Sequence, residues 1–155
     1  MTRILTSALG VLVAAVALGS GVASASRDGV SAGAMSAKPA LTIRNSRYGP
    51  VLFDGNGRVL YGFTRDPRGG KSRCYGACAS AWPVYHAPKS LKAGKGVKQS
   101  LIGTVRRTGG KLQLTYNGWP LYYYVDDGVG EIKCQNVDEF GGLWLVVRPT
   151  GTLVR

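Results

Sequence analysis

The chain has 155 residues, enough for one domain with a core of its own and not for several. Its formal net charge is +12, from 20 Lys and Arg against 8 Asp and Glu, which favours anionic partners such as cell-wall polymer, lipid head groups or nucleic acid, with solubility alone as the competing reading. One histidine and three cysteines leave little material for a metal centre or for catalysis built on imidazole.

At the chain start, Arg3, the apolar run from Ile4 to Leu18 and Ala23-Ser24-Ala25 read as a secretory signal peptide over residues 1–25, cleaved after Ala25. The apolar run is too short to span a bilayer, and no transmembrane segment is expected in the mature chain. The first cysteine is Cys74, so no lipid-attachment cysteine stands at the cleavage point. The expectation is a free, exported protein, secreted or associated with the cell wall, whose charge falls from +12 to +11 (12 − 1) with the loss of Arg3. Residues 26–40 are small and polar without apolar periodicity and read as a flexible leader. The fold is then expected over 41–149, with 150–155 as a tail.

Within that fold one phrase is written twice. "NGRVLYGFTRD" from Asn56 and "NGWPLYYYVDD" from Asn117 align without a gap at an offset of 61 (117 − 56), sharing Asn, Gly, Leu, Tyr and the final Asp. Each copy has a strand before Asn-Gly and an aromatic-rich strand after it, the signature of a tight hairpin turn. The first, with Asp54-Gly55 ahead of its Asn-Gly, predicts the longer loop. Alternation puts Tyr61 and Phe63 on one face and Tyr122 and Tyr124 on the matching face, with Leu60 and Leu121 opposed. Asp66 before Pro67, and Asp127 before Gly128, are placed to accept nearby backbone N–H groups and fix the turns. Trp82 lies 21 residues beyond Tyr61 (82 − 61) and Trp144 lies 22 beyond Tyr122 (144 − 122), closing each unit.

The remaining stretches fill in the architecture. "LTIRNSRYGPVLF" reads as an edge strand near the start, and "LIGTVRRTGGKLQLTY" as a hairpin around Gly109-Gly110. Cys74 to Ala81 is helix-permissive and stopped by Pro83, whereas "GGLWLVV" reads as a strand. The fold class is therefore mainly β: a small antiparallel domain of two pseudo-repeated hairpin units, about 48–88 and about 101–149, with a short helical turn at the Cys-x3-Cys segment. In an oxidising compartment three cysteines give one disulfide and one leftover thiol. The choice of partner is open, because Cys74 and Cys134 occupy near-equivalent places in the two units.

The motif Tyr-x-[Phe/Tyr/Trp]-x-x-Asp, here "YGFTRD" and "YYYVDD", together with "KSRCYGACASAWP" and "EFGGLWLVV", resembles the bacterial secreted-repeat family with the Y-X4-D motif, predicted lipoprotein-like proteins of unknown function. The resemblance covers about Val51 to Val147, and its structural motif residues fall on Tyr61, Phe63, Asp66, Trp82, Tyr122, Tyr124, Asp127 and Trp144. It implies an exported, surface-associated protein with no assigned reaction. Two departures are the missing lipid-attachment cysteine and the presence of Cys134, which lies outside the family pattern. The resemblance favours Cys74 and Cys78 as disulfide partners, leaving Cys134 as a candidate free thiol.

Several chemistries can be weighed on these residues. Cysteines four apart meet on one face of a helical turn, and a bond there is either a structural clip, which export favours, or a reducible pair with a redox role. Cys74, Cys78 and His86 give C-x3-C-x7-H, which matches no usual zinc spacing. Asp66 and Asp127 are the one carboxylate pair that pseudo-symmetry brings forward for hydrolysis, yet each has a local turn to fix, and no nucleophile motif is present. The aromatic faces suit a carbohydrate or peptide platform if exposed and a core if not; in so small a domain the core reading is favoured, with Trp119, which stands opposite Arg58, expected outside. Lys89, Lys92, Lys95 and Lys98, with Gly94 and Gly96 among them, suggest a mobile basic loop that could bind anions.

The sequence thus supports an exported, non-catalytic binding or structural module for an anionic cell-surface partner, a wall polymer or membrane surface, with no cofactor, no metal and no specific nucleic acid. The alternative is an extracytoplasmic redox or metal-handling protein using Cys74 and Cys78. Oligomeric state is not written in the sequence.

Overall fold

The computed structural model describes residues 37–155; the expected signal peptide and cleavage site, and the expected leader up to residue 36, lie outside the described residues. The chain opens with strand β1 (Leu41–Ser46), which pairs antiparallel with β2 (Gly49–Asp54) from Leu41 opposite Asp54 to Ser46 opposite Gly49. The first segment is therefore a hairpin rather than a lone edge strand. Its turn is fixed by Ser46 Oγ, which accepts Tyr48 N–H at 3.1 Å and donates to the Gly49 carbonyl at 2.8 Å.

After β2 the chain turns at Asn56-Gly57. Asp54 N–H bonds Arg58 O at 2.9 Å across a three-residue loop, and Asp54 Oδ1 accepts Asn56 N–H and Arg58 N–H, both at 2.9 Å. The return strand ends in β3 (Tyr61–Phe63). The second unit repeats this with β4 (Ile102–Arg106) and β5 (Leu112–Tyr116), paired from Ile102 opposite Tyr116 to Arg106 opposite Leu112. Its turn is the two-residue Asn117-Gly118, at φ 50 and 80, leading into β6 (Trp119–Pro120). Both backbone angles lie in the left-handed region that Asn and Gly tolerate, so the shorter loop falls where the bare Asn-Gly stands.

The helical turn α1 (Ala77–Ala81) links the units and stops two residues before Pro83, with Trp82 as its C-cap, and a 3-10 turn over Gln99–Leu101 precedes β4. The last elements, β7 (Val137–Glu139) and β8 (Gly142–Val146), pair with each other, and β8 pairs with β3, putting Phe63 opposite Trp144. The described residues are mainly β and antiparallel, in three small sheets ordered β1-β2, β3-β8-β7 and β4-β5-β6.

Strand alternation divides the interior into two cores. Val59, Tyr61, Phe63 and Tyr122 face one, with Trp82 and Trp144; Leu52, Leu60, Leu114, Leu121 and Val147 face the other. The ends of the fold extend past the bounds read from sequence. Ala40, expected in the leader, is buried and donates its N–H to Lys92 O at 2.8 Å. The expected tail folds back: Arg148 N–H bonds Thr152 O at 2.8 Å, Val154 N–H bonds Val146 O at 3.0 Å, and Val154 fills the aromatic core. A buried valine one residue from the end is a weak sequence signal, because the strand it bonds to is brought beside it only in the folded state.

Candidate functional site

The two repeat units meet where their return strands cross. Tyr61 N–H bonds Tyr122 O at 2.9 Å and Tyr122 N–H bonds Tyr61 O at 3.0 Å, an antiparallel bridge between the equivalent tyrosines. The side chains then exchange partners. Tyr61 Oη–H donates to Asp127 Oδ2 at 2.6 Å and Tyr122 Oη–H donates to Asp66 Oδ2 at 2.5 Å, so each motif tyrosine is satisfied by the aspartate of the other motif. The second carboxylate oxygen does fix the local turn: Asp66 Oδ1 accepts Arg73 N–H at 2.7 Å, and Asp127 Oδ1 accepts Lys133 N–H at 2.9 Å. The turn role read from sequence is half of what each aspartate does; the other half ties the two units together. Buried, hydrogen-bonded on both oxygens and each bound to a phenol, the two carboxylates are built as structural acceptors. Burial pushes the phenol of Tyr61 up, with Asp127 adding to it, and burial then the Asp66 charge do the same for Tyr122. Burial also raises Asp66 above its ordinary 3.8, against the opposing hydrogen bonds from Tyr122 and Arg73.

The closing tryptophans also meet. Trp82 and Trp144 stack with ring centroids 4.0 Å apart and planes 4° apart. Phe63 stacks on Trp144 at 4.1 Å, and Tyr124 leans on Trp82 at 4.9 Å, again each from the opposite unit. These rings fill the core rather than a platform. Trp119 is half-buried in β6 rather than outside.

Beside this core Cys74 and Cys78 form a disulfide with Cα atoms 5.2 Å apart, both sulfur-bearing side chains buried. Cys134 is free and half-buried against the aromatic core; burial raises its thiol pKa, which makes its reactive thiolate scarce. His86 faces a different hollow with Lys111 and Leu112, and among the described residues no group of three or more His, Cys, Asp or Glu is arranged to hold a metal.

A buried arginine, which sequence reasoning passed over, braces the first unit. Arg107 is 9% exposed and donates to Ser72 Oγ at 2.7 Å, Gln113 Oε1 at 2.8 Å and Cys74 O at 2.6 Å. Ser72 Oγ–H in turn donates to Tyr122 Oη at 2.7 Å, the Tyr122 proton being committed to Asp66, so Arg107 joins the Tyr122–Asp66 pair to the disulfide segment. In the run "VRRTGGK" it reads as one more surface charge.

The surface electrostatics are one-sided. Between Lys38 and Lys111, thirteen Lys and Arg residues are exposed, whereas the two acids of that stretch, Asp54 and Asp66, are buried. The exposed acids among the described residues are Asp126, Glu131, Asp138 and Glu139, all late in the chain. One ion pair, Lys133 with Glu131 at 2.9 Å, is found among the described residues. Lys89, Lys92, Lys95 and Lys98 are all exposed, on a segment that is not helical but is pinned rather than loose. Ala93 N–H bonds Gln99 Oε1 at 2.8 Å, Gly94 N–H bonds Leu41 O at 2.8 Å, and Val97 is buried in the second core, which corrects the expectation of a mobile loop.

On this positive side lies an open groove of about 570 Å³ lined by Arg65, Arg73, Tyr75, Ala77, Cys78, Phe140 and Gly141. Tyr75 and Phe140 are 39% and 40% exposed, and Arg65 Nη1 donates to Phe140 O at 3.0 Å. Tyr75 lies under the Arg107 guanidinium, 4.2 Å from ring centroid to Cζ. Sequence reasoning did not single out Arg65 or Phe140; the available signal was the repeat itself, since Arg65 stands opposite Asp126.

Among the described residues no helix is long and apolar enough to cross a membrane. No curated protein and no solved structure matches the chain. A family described as a secreted repeat of unknown function matches twice, over residues 42–85 and 103–148, each match spanning one hairpin, its aromatic return strand and a closing segment with its tryptophan. On that double match, the chain belongs to this secreted repeat family.

Proposed function

We propose that this protein is an exported, non-catalytic binding module that attaches to an anionic polymer of the cell envelope. The observation that supports this most is the separation of charge: an exposed surface from Lys38 to Lys111 carrying thirteen cations and no acid, with that stretch's own carboxylates turned inward as hydrogen-bond acceptors. Such a surface raises the local concentration of a polyanion and holds it by many weak contacts. The tyrosines, aspartates and tryptophans of the repeat are consumed in folding, which leaves the charged surface as the part free to act.

The test is retention of the mature protein on isolated cell envelopes across a salt series. Binding at low ionic strength that falls steeply toward 1 M, where the screening length is about 3 Å, is the expected outcome. No retention, or retention indifferent to salt, contradicts the proposal.

A further inference from the structure

We propose that the groove between Arg65, Arg73, Tyr75 and Phe140 is a binding site for phosphodiester groups in a chain of sugar or polyol phosphates. This rests on the reading of the protein as a module for an anionic partner and assigns that reading a specific place.

The groove has the donors such a group needs. No acid lines it. The Arg73 side chain has no hydrogen-bond or ion-pair partner among the described residues; only its backbone N–H is used, by Asp66. That backbone bond fixes where the side chain leaves the main chain. Arg65 gives Nη1 to Phe140 O, which orients its guanidinium and leaves its other N–H groups available. Planar guanidinium forks match phosphate oxygens two at a time, which a carboxylate can also use but a neutral sugar cannot.

The aromatic walls are held as well as exposed. Tyr75 is backed by Arg107 and close to Thr108, with Thr108 Oγ1 at 3.4 Å from its hydroxyl. Phe140 sits at φ 56, a backbone angle unusual for a bulky residue, in the tight turn between β7 and β8. Two ring surfaces beside two guanidinium groups suit a ligand that alternates apolar C–H faces with anionic linkers. Because the groove is open rather than enclosed, it fits a segment of a longer chain better than an engulfed small molecule.

The repeat supplies an independent comparison. Tyr61, Asp66 and Trp82 have counterparts that do the same structural work in the second unit. Arg65 does not: its counterpart is Asp126 (126 − 65 = 61). The counterpart of Arg73, by its N–H bond to the aspartate, is Lys133, and Lys133 is neutralised by Glu131 at 2.9 Å. The anion-binding pair is thus present in one unit alone, on residues the shared fold does not require.

The mature protein would be titrated by calorimetry with synthetic poly(glycerol phosphate), with polyglutamate of matched charge and with phosphatidylglycerol vesicles. The variants are R73Q, R65Q/R73Q and the remote K89Q/K92Q/K95Q/K98Q. R73Q carries the test even if R65Q disturbs the Phe140 turn. The proposal expects R73Q to weaken poly(glycerol phosphate) binding about tenfold, the double variant further, and the fourfold lysine variant, despite its larger charge loss, by less than about threefold. It is overturned if R73Q binds like the parent, if the lysine variant loses more, or if polyglutamate binds as tightly. Groove-dependent binding to vesicles without binding to the soluble polymer would assign the phosphodiester to lipid and overturn the polymer. If the parent binds neither polyanion, the broader binding reading falls too.

Discussion

The crossed Tyr–Asp pairs make a prediction that no single-repeat account makes. Tyr61→Phe removes one hydrogen bond to a buried carboxylate, Tyr61 Oη–H to Asp127 Oδ2 at 2.6 Å, while preserving the ring in the aromatic core. A bond to a charged group contributes about 1.5–3 kcal/mol, out of a total stability on the order of 5–15 kcal/mol. With a urea slope of about 2 kcal/mol/M, the unfolding midpoint falls by about 1 M. Asp127→Ala costs more, because Lys133 N–H loses its acceptor as well, but that extra cost cancels in a double-mutant cycle. The cycle of Tyr61→Phe with Asp127→Ala gives a coupling of about 1–3 kcal/mol, and the cycle of Tyr61→Phe with Asp66→Ala, within one motif, gives under about 0.5 kcal/mol. Urea unfolding followed by tryptophan fluorescence measures both. Equal coupling in the two cycles, or a stronger one within the motif, would refute the crossed arrangement.

Other expectations follow from single groups. Burial raises Asp66 above 3.8, so its contribution to stability is complete below pH 3.8 and fades as pH rises through the raised value; the parent should therefore lose stability relative to Asp66→Asn between pH 3.8 and neutrality, seen in paired urea titrations. Replacing Cys74 and Cys78 together by alanine opens a clip that spans a sequence separation of four. The closure entropy of so short a loop is about 2 kcal/mol, which lowers the melting temperature by roughly 5–10 °C; an unchanged melting temperature would contradict a structural clip. Gly118→Ala places a methyl 2.8 Å from Gly69 N at φ +80, whereas Gly109→Ala, at φ +91, meets nothing within 4 Å. Calorimetric melting should show the first to cost about 2 kcal/mol or more and the second about 1 kcal/mol.

Much of the scaffold was legible because its signals are local. Asn-Gly between β-formers specifies a turn wherever it stands, and the extra Asp54-Gly55 lengthens the first loop by the same chemistry. Period-two alternation sorted Tyr61 from Leu60, and Tyr122 from Leu121, onto the two cores. What was not legible depends on which distant segments meet. Asp66 and Asp127 read as turn residues because their Oδ1 bonds are local, while their Oδ2 bonds span 56 and 66 residues. Arg107 reads as surface charge until Ser72, Gln113 and the Cys74 carbonyl converge on it. The lysine-rich segment looked loose because its anchors, Gln99 and the edge of β1, lie outside it. The groove was hidden for the same reason, since Phe140 reaches Arg65 only through the pairing of β3 with β8.

The central claim, that the positive surface of the first two-thirds of the chain carries the partner, is most directly tested by amide chemical-shift mapping. Isotope-labelled mature protein would be titrated with soluble anionic fragments of the cell wall. The account predicts salt-sensitive shifts concentrated on exposed residues between Lys38 and Lys111, with the groove of Arg65 and Arg73 among the largest. Shifts centred on the acidic stretch from Asp126 to Glu139, or none at all, would contradict it.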